Sequence, residues 1–366
     1  MEIKINRKME KLTYKSGMLV ILTAALLSFQ LPAQEVSKDF HKEFNADKST
    51  TLDLTNKYGD VAITGWDKNQ IVIDVKVVVR YPDKSKAEKY LDYINVDFSE
   101  ANNTVTAKTV IDENFNFHGW GSVREFKINY TIKMPFASSL TLANRYGNTD
   151  IDELWGLVNL DIKYGGIEID KLKRGNEKPL NRLAIAYGKG NIGEVAWLDL
   201  YSRYTSTLTI EKSQALLIDS YKSTLKIGET SSIVGEAKYD TYSIDKINNL
   251  VLSTEYTNVN VNDLARKLNF EGSYGSLNVD EIPAGFESLD VDVRYSGVRL
   301  GIAESASYKL DAEASYGGIK YPEENLKFNR RIVENTSTVI SGVVGKEESP
   351  NSVVKVKTSY GTVKLF

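Results

Sequence analysis

A tyrosine recurs through this chain in one local setting: Tyr, a pair of small or polar residues, then two apolar residues one position apart. The copies begin at Tyr58, Tyr146, Tyr164, Tyr187, Tyr204, Tyr221, Tyr239, Tyr256, Tyr274, Tyr295, Tyr316 and Tyr360, so twelve of the 21 tyrosines play one part. From Tyr187 to Tyr274 the steps are 17, 17, 18, 17 and 18 residues. A period this short marks a repeat architecture, in which each unit buries its apolar face against its neighbours. It also limits function, because stacked repeats present surfaces more readily than they enclose a reaction site.

The phase of the apolar residues gives the fold. Around Tyr295, the residues Leu289, Val291, Val293 and Tyr295 alternate with polar ones and share one strand face. Val298 and Leu300 follow one residue out of phase. A bend at Ser296-Gly297 returns both sets to a single core, and glycine takes the backbone angles that a bend needs. By this phase the tyrosines face inward or pack in the corner, with hydroxyls bonded to corner backbone groups. They are predicted to form a structural corner ladder of Tyr146, Tyr164, Tyr187, Tyr204, Tyr221, Tyr239, Tyr256, Tyr274, Tyr295 and Tyr316. Two short bent strands per coil predict an all-β fold, a single-stranded parallel β-helix or solenoid of about 10–11 coils, stacked at roughly 4.8 Å each. An antiparallel meander would instead want tight Asn-Gly hairpins between strands.

The 88 residues from Tyr58 to Tyr146 break the period. Residues 71–81 read as a strand and 85–93 as a short amphipathic helix. Residues 96–98 and 104–111 read as a hairpin around Asn102-Asn103, and 123–134 as another strand closed by Pro135. This α+β element suits an N-terminal cap, since an open stack exposes unpaired strand edges. The chain divides into a signal peptide (1–33), a first strand pair or coil (34–70), the insert or cap (71–141), the Tyr-motif solenoid (142–324) and C-terminal coils and cap (325–366). The signal reading rests on Lys4, Arg7, Lys8, Lys11 and Lys15, an apolar run from Gly17 to Phe29, and Leu31-Pro32-Ala33 before Gln34. No later stretch is long and apolar enough to cross a bilayer. The expected location is therefore outside the cytoplasm: periplasm, outer-membrane surface or extracellular.

The chemistry is narrow. Two histidines, His41 and His118, and no cysteine leave no material for a Cys/His metal cluster or nucleophile pair. A formal charge of −3 does not favour nucleic acid. No catalytic, cofactor-binding or metal residue is predicted. Asp290, Asp292, Asp311 and Glu313 stand at outward positions of what read as neighbouring coils, where stacking would bring them together. Asp161, Asp199, Asp219 and Glu271 fill the same row elsewhere, so a solvated strand face outweighs a paired-acid or Ca²⁺ site. Basic residues often precede the tyrosine, as Lys57, Arg145, Lys163, Arg203, Lys238 and Arg294 do. Phe115, Phe117 and Trp120 form an aromatic cluster at a loop tip and a possible binding loop, with covering of the stack end as the plainer role.

The segments Asn56-Lys57-Tyr58-Gly59-Asp60-Val61-Ala62-Ile63-Thr64-Gly65-Trp66, Asn144-Arg145-Tyr146-Gly147-Asn148 and Lys163-Tyr164-Gly165-Gly166-Ile167 carry a family likeness. With the leader and the capped N-terminal segment, the chain resembles the bacterial putative-adhesin families of β-solenoid envelope proteins, related to the GIN-domain head of auto-transporter adhesins. The resemblance spans most of residues 45–365 and rests on corners. It departs at Thr205, Lys222, Asp240 and Thr257, which stand where the pattern has glycine. It implies a β-solenoid and transfers no catalytic or binding residue. The expected function is a non-enzymatic adhesin-like or scaffold protein of the bacterial cell envelope, whose partner is an unknown glycan or protein. The alternatives are a polysaccharide-acting β-helix enzyme using outer-face carboxylates and a periplasmic partner of an envelope signalling system.

Overall fold

The structure is a computed structural model that describes residues 34–117 and 124–366. The leader, His118 and Trp120 lie outside the described residues. The described chain is all-β apart from the helix Lys84–Asp92 and a 3₁₀ turn at Glu323–Asn325. Its 26 described strands join in one sheet, and that sheet is mixed rather than wholly parallel.

The parallel part is the Tyr-repeat region. Leu216 pairs with Ile233, Ile233 with Leu250 and Leu250 with Leu268, so each strand lies beside its equivalent one repeat later. The expected pairs of short half-strands merge there into single strands of 15 residues, such as Thr207–Tyr221 and Thr241–Glu255. In the Thr241–Glu255 strand Tyr242, Ile244, Ile247, Leu250 and Leu252 are buried. The steps between them are two, three, three and two, so the strand shifts phase on either side of Ile247 and keeps all five on one core. Full burial of one such aliphatic side chain is worth about 1.5–3 kcal/mol.

Antiparallel pairs close both ends. Gln34–Asn45 pairs with Gln70–Tyr81, which pairs in turn with Glu125–Pro135. The hairpin Ile94–Ala101 and Thr104–Ile111 turns at Asn102 and Asn103, both with positive φ, as a two-residue turn of this hand requires. At the other end Tyr308–Ser315 pairs with Ser337–Val344, and that strand with Leu326–Val333. A hairpin lets a chain add strands beyond the last turn without a crossover, which is why the mixed pairing sits at the ends.

The last two strands are out of chain order. Val353–Ser359 lies between Ser288–Arg294 and Tyr308–Ser315, parallel to both. Thr362–Leu365 likewise lies between Gly297–Ile302 and Gly318–Lys320. The end of the chain therefore fills a slot inside the stack. Asp290 and Asp292 are not beside Asp311 and Glu313, as the chain order suggested. Lys355 is paired with both Asp290 and Asp311, and Lys357 with both Asp292 and Glu313.

A candidate binding surface along the tyrosine ladder

The corners are built by backbone angle. Eleven of the repeat tyrosines have φ between 50° and 65°, the left-handed region that L residues seldom enter. This conformation turns the tyrosine ring outward and the next residue inward. The alternating phase points the rings inward or into the corner; they sit at the corner but are 42–61% exposed from Tyr146 to Tyr360. Thr205, Ser223, Asp240, Thr257 and Ser296, each one residue after the corner, are buried. Glycine serves the same position elsewhere: a Cβ on Gly147 would lie 1.9 Å from the Gly59 carbonyl oxygen.

The rings form two stacked columns. Tyr58, Tyr146, Tyr164, Tyr187 and Tyr204 stack at 4.9–5.1 Å between centroids and within 11° of parallel. Tyr239, Tyr256, Tyr274, Tyr295, Tyr360 and Tyr316 stack at 4.8–5.0 Å in that spatial order. Tyr360 stands between Tyr295 and Tyr316 because its strand fills the slot. Between the columns the expected corner at Tyr221 is displaced by one residue. Lys222 has the positive φ, and Tyr221 meets Tyr204 and Tyr239 edge-on at 74° and 86°. The Lys222 ammonium lies 5.3–5.8 Å from the centroids of all three rings. The clue in the sequence was order: Tyr221-Lys222 inverts the basic-then-Tyr order of Arg203-Tyr204 and Lys238-Tyr239.

Under the ladder runs a row of polar residues that the phase reading missed. Asn56 Nδ2 donates to the carbonyls of Gly59 and Ile128, and Asn144 Nδ2 to that of Asn148. Ser202 Oγ lies 2.9 Å from Thr205 Oγ1 and 3.0 Å from Ser223 Oγ. Asp240 is the charged member of the row. It accepts from the Ser223 and Lys238 backbone N–H groups and from the Ser220 hydroxyl. Burial pushes its carboxyl above the usual range, against the pull of these donors. The detectable signal was a polar residue two positions before the corner, at an inward phase.

Stacking decides what the ladder can offer. Inner rings turn their faces to one another, so ring edges and hydroxyls meet solvent, at one rung per strand. A sugar cannot lay its face on an inner ring, but a linear polymer can contact the repeated edges. Flanking charges are paired: Arg145 with Asp161 at 3.2 Å, Arg203 with Asp219 at 2.7 Å and Lys238 with Glu255 at 2.5 Å. Each exposed pair is worth roughly 0–1 kcal/mol.

Grooves flank the ladder where it meets the N-terminal element. A groove of about 670 Å³ runs between Tyr58, Phe126, Tyr146 and Tyr164 over Gly59 and Gly147. A second of about 440 Å³ adjoins it at Asp60 and Asn148, and includes Asp150, Glu168 and Lys189. Asn148 links the turns, its N–H donating to Asp60 Oδ1 and its Oδ1 accepting from Gly166 N–H. Burial, then Asp60 and Glu168, raises the Asp150 carboxyl above the ordinary range. Phe115 and Phe117 are folded back onto Phe126, at 4.9 and 5.1 Å, and line a third hollow of about 500 Å³ with Tyr58 and Thr109. The loop-tip rings thus lie against the end of the ladder. Among the described residues no group of three or more His, Cys, Asp or Glu is placed to hold a metal ion.

No family model matches the chain, and no curated protein is detectably similar to it. Solved structures give loose likenesses. A protein named as a putative cell adhesion protein from Clostridium sporogenes ATCC 15579 is 12% identical, over 90% of this chain and 99% of that one, with a TM-score of 0.20. A putative adhesin from Parabacteroides distasonis ATCC 8503 is 12% identical over 90% and 97% of the chains, with a TM-score of 0.29. A putative lipid binding protein from the same organism is 10% identical over 90% and 97%, with a TM-score of 0.28. TM-scores this low leave the functional reading to rest on the chain's own geometry.

Proposed function

We propose that this chain is a non-enzymatic, adhesin-like or scaffold protein of the bacterial cell envelope. Its stacked turns form a rigid β-solenoid, exported by the leader, that presents the tyrosine ladder and the groove at its N-terminal end to a linear glycan or an extended protein segment. One observation carries the reading: eleven tyrosines occupy a strained backbone conformation that glycine would take freely, and the result is an exposed, regular aromatic row. Exposed apolar surface of this extent marks interaction sites. Preordered rings also lose little side-chain entropy on binding. The acidic pairs Asp290/Asp292 and Asp311/Glu313 lie on either side of Lys355 and Lys357 instead of side by side, an arrangement that suits strand pairing. Among the described residues no helix is long and apolar enough to cross a membrane.

The test joins place and surface. Intact native cells labelled by antibody, with and without permeabilisation, report on which side of the outer membrane the chain lies. Binding to arrays of linear glycans and envelope proteins should then be lost in Tyr146→Ser/Tyr164→Ser and kept in Phe328→Ser at the far end. Labelling only after permeabilisation would refute surface adhesion and favour a periplasmic signalling or scaffold partner. Binding unaffected by the tyrosine changes would refute the ladder as the surface.

A further inference from the structure

The slot filled by the end of the chain has features that define a strand-acceptor site. It lies between two turns whose outward residues are acidic, Asp290 and Asp292 on one side, Asp311 and Glu313 on the other. The strand that enters it carries Lys355 and Lys357 in register with all four. Its apolar residues Val354 and Val356 are buried with the core, as are Val363 and Leu365 after the corner. Shape, charge and register therefore specify this one sequence for this one slot.

The segment is also tethered in a way that lets it leave. It reaches the slot from Ser337–Val344 by residues 345–352, crossing over the strand Tyr308–Ser315. Residues 346–349 of this crossing are exposed and carry Lys346, Glu347 and Glu348. Its fold depends on Gly345, at φ 94°, where a Cβ would lie 2.5 Å from Ser307 Oγ and 2.6 Å from the Ala306 carbonyl oxygen. Ser307 Oγ accepts from the backbone N–H groups of Lys346 and Glu347 and latches the bend. An extended crossing would need neither the positive φ nor the latch.

We propose that residues 352–366 are an exchangeable strand, and that the slot also accepts the same segment from a second copy of this chain, giving a strand-swapped dimer. The closed monomer and the swapped dimer share every slot contact and differ only at the crossing. The balance between them is then set by protein concentration and by strain at Gly345.

The full chain has no cysteine, so introduced ones report cleanly. Asp292 and Lys357 are exposed register partners. The double variant Asp292→Cys/Lys357→Cys should close a disulfide within one chain; failure to do so would remove the slot itself and overturn the proposal. Single variants Asp292→Cys and Lys357→Cys, carrying tags of different mass, are mixed at high concentration and oxidised. A covalent heterodimer is expected, with a yield several-fold higher when both copies also carry Gly345→Val. No heterodimer in either background overturns the proposal. So does an equal yield when Lys226→Cys, on a distant strand, replaces Lys357→Cys, since that is random cross-linking.

Discussion

Left-handed backbone costs a non-glycine residue about 1–2 kcal/mol, and each aromatic stack returns about 0.5–1.5 kcal/mol. Tyr256, stacked on both Tyr239 and Tyr274, therefore sits near balance. It is not the buried filler that its phase suggested. Tyr256→Ala should lose both stacks and keep the strain, at a cost of about 1–3 kcal/mol. Tyr256→Gly should lose the stacks and the strain together and stay within about 1 kcal/mol of the native chain. Urea unfolding of the two variants checks the order, and alanine more stable than glycine would mean that the corner is unstrained. Asp240 makes a second case at this scale. Its folded carboxyl is raised by burial, so the protonated form is the one that folding favours. The stability it contributes is present below its unfolded value, about 3.9, and is lost as pH rises through the higher folded value. Replacing it with the threonine found at the equivalent Thr205 and Thr257 corners should abolish that loss. The melting difference between Asp240→Thr and the native chain, followed upward from about pH 3.5, should move in favour of the variant. A difference that stays flat, or moves the other way, would show that the three donors outweigh burial.

Among the elements, those with local signals were legible in the sequence. The amphipathic spacing over 85–93 matches the helix Lys84–Asp92, where Asp83 accepts from Lys86 N–H as its N-cap. The strands at 71–81 and 104–111, and the turn at Asn102-Asn103, followed from alternation and turn chemistry. What the sequence hid was any fact fixed by another part of the chain. Ring direction at the corners depends on one φ angle, and alternation is blind to it. The place of the final strand depends on Asp290, Asp292, Asp311 and Glu313 being complementary to Lys355 and Lys357, across as many as 65 positions of sequence. That complementarity was readable only by asking which strand could neutralise the acidic rows. Cross-strand charge pairs are worth roughly 0.2–1 kcal/mol each, so Lys355→Glu/Lys357→Glu converts four favourable pairings into repulsions. The double variant should raise amide exchange across Val353–Ser359 and Thr362–Leu365 well above that of Thr241–Glu255. Further substitution of Asp290→Lys and Asp292→Lys should restore part of the protection. Uniform exchange across all these strands would mean that core burial alone holds the chain end.

For the whole molecule, the repeat makes a demand that an ordinary globular core does not. If stability is a sum of turns and their interfaces, one turn can be added without redesign. The region of Thr224–Lys238, Thr241–Glu255 and Asn258–Ser273 is the place for it. Its strands pair in near-unbroken register, and the stacked rings of Tyr239 and Tyr256 bracket one turn. Duplicating residues 241–257 supplies one more buried set equivalent to Tyr242, Ile244, Ile247, Leu250 and Leu252 and one more rung of the ladder. It also keeps the pairing of Asp240 N–H with Thr257 Oγ1 and adds a second Thr257-type hydroxyl after it, with no second buried carboxyl. The proposed solenoid should therefore lengthen by about 4.8 Å and melt no lower than the native chain. Small-angle scattering and thermal unfolding measure both. The same duplication would be harmful if the turns took their register from the two ends, because the antiparallel strands Gln34–Asn45, Gln70–Tyr81 and Glu125–Pro135 and the slot filled by Val353–Ser359 would then compete over a stack one turn too long. An aggregated or lower-melting product would establish that end-imposed register, while a longer, equally stable one would show that each turn is specified by the turn beside it.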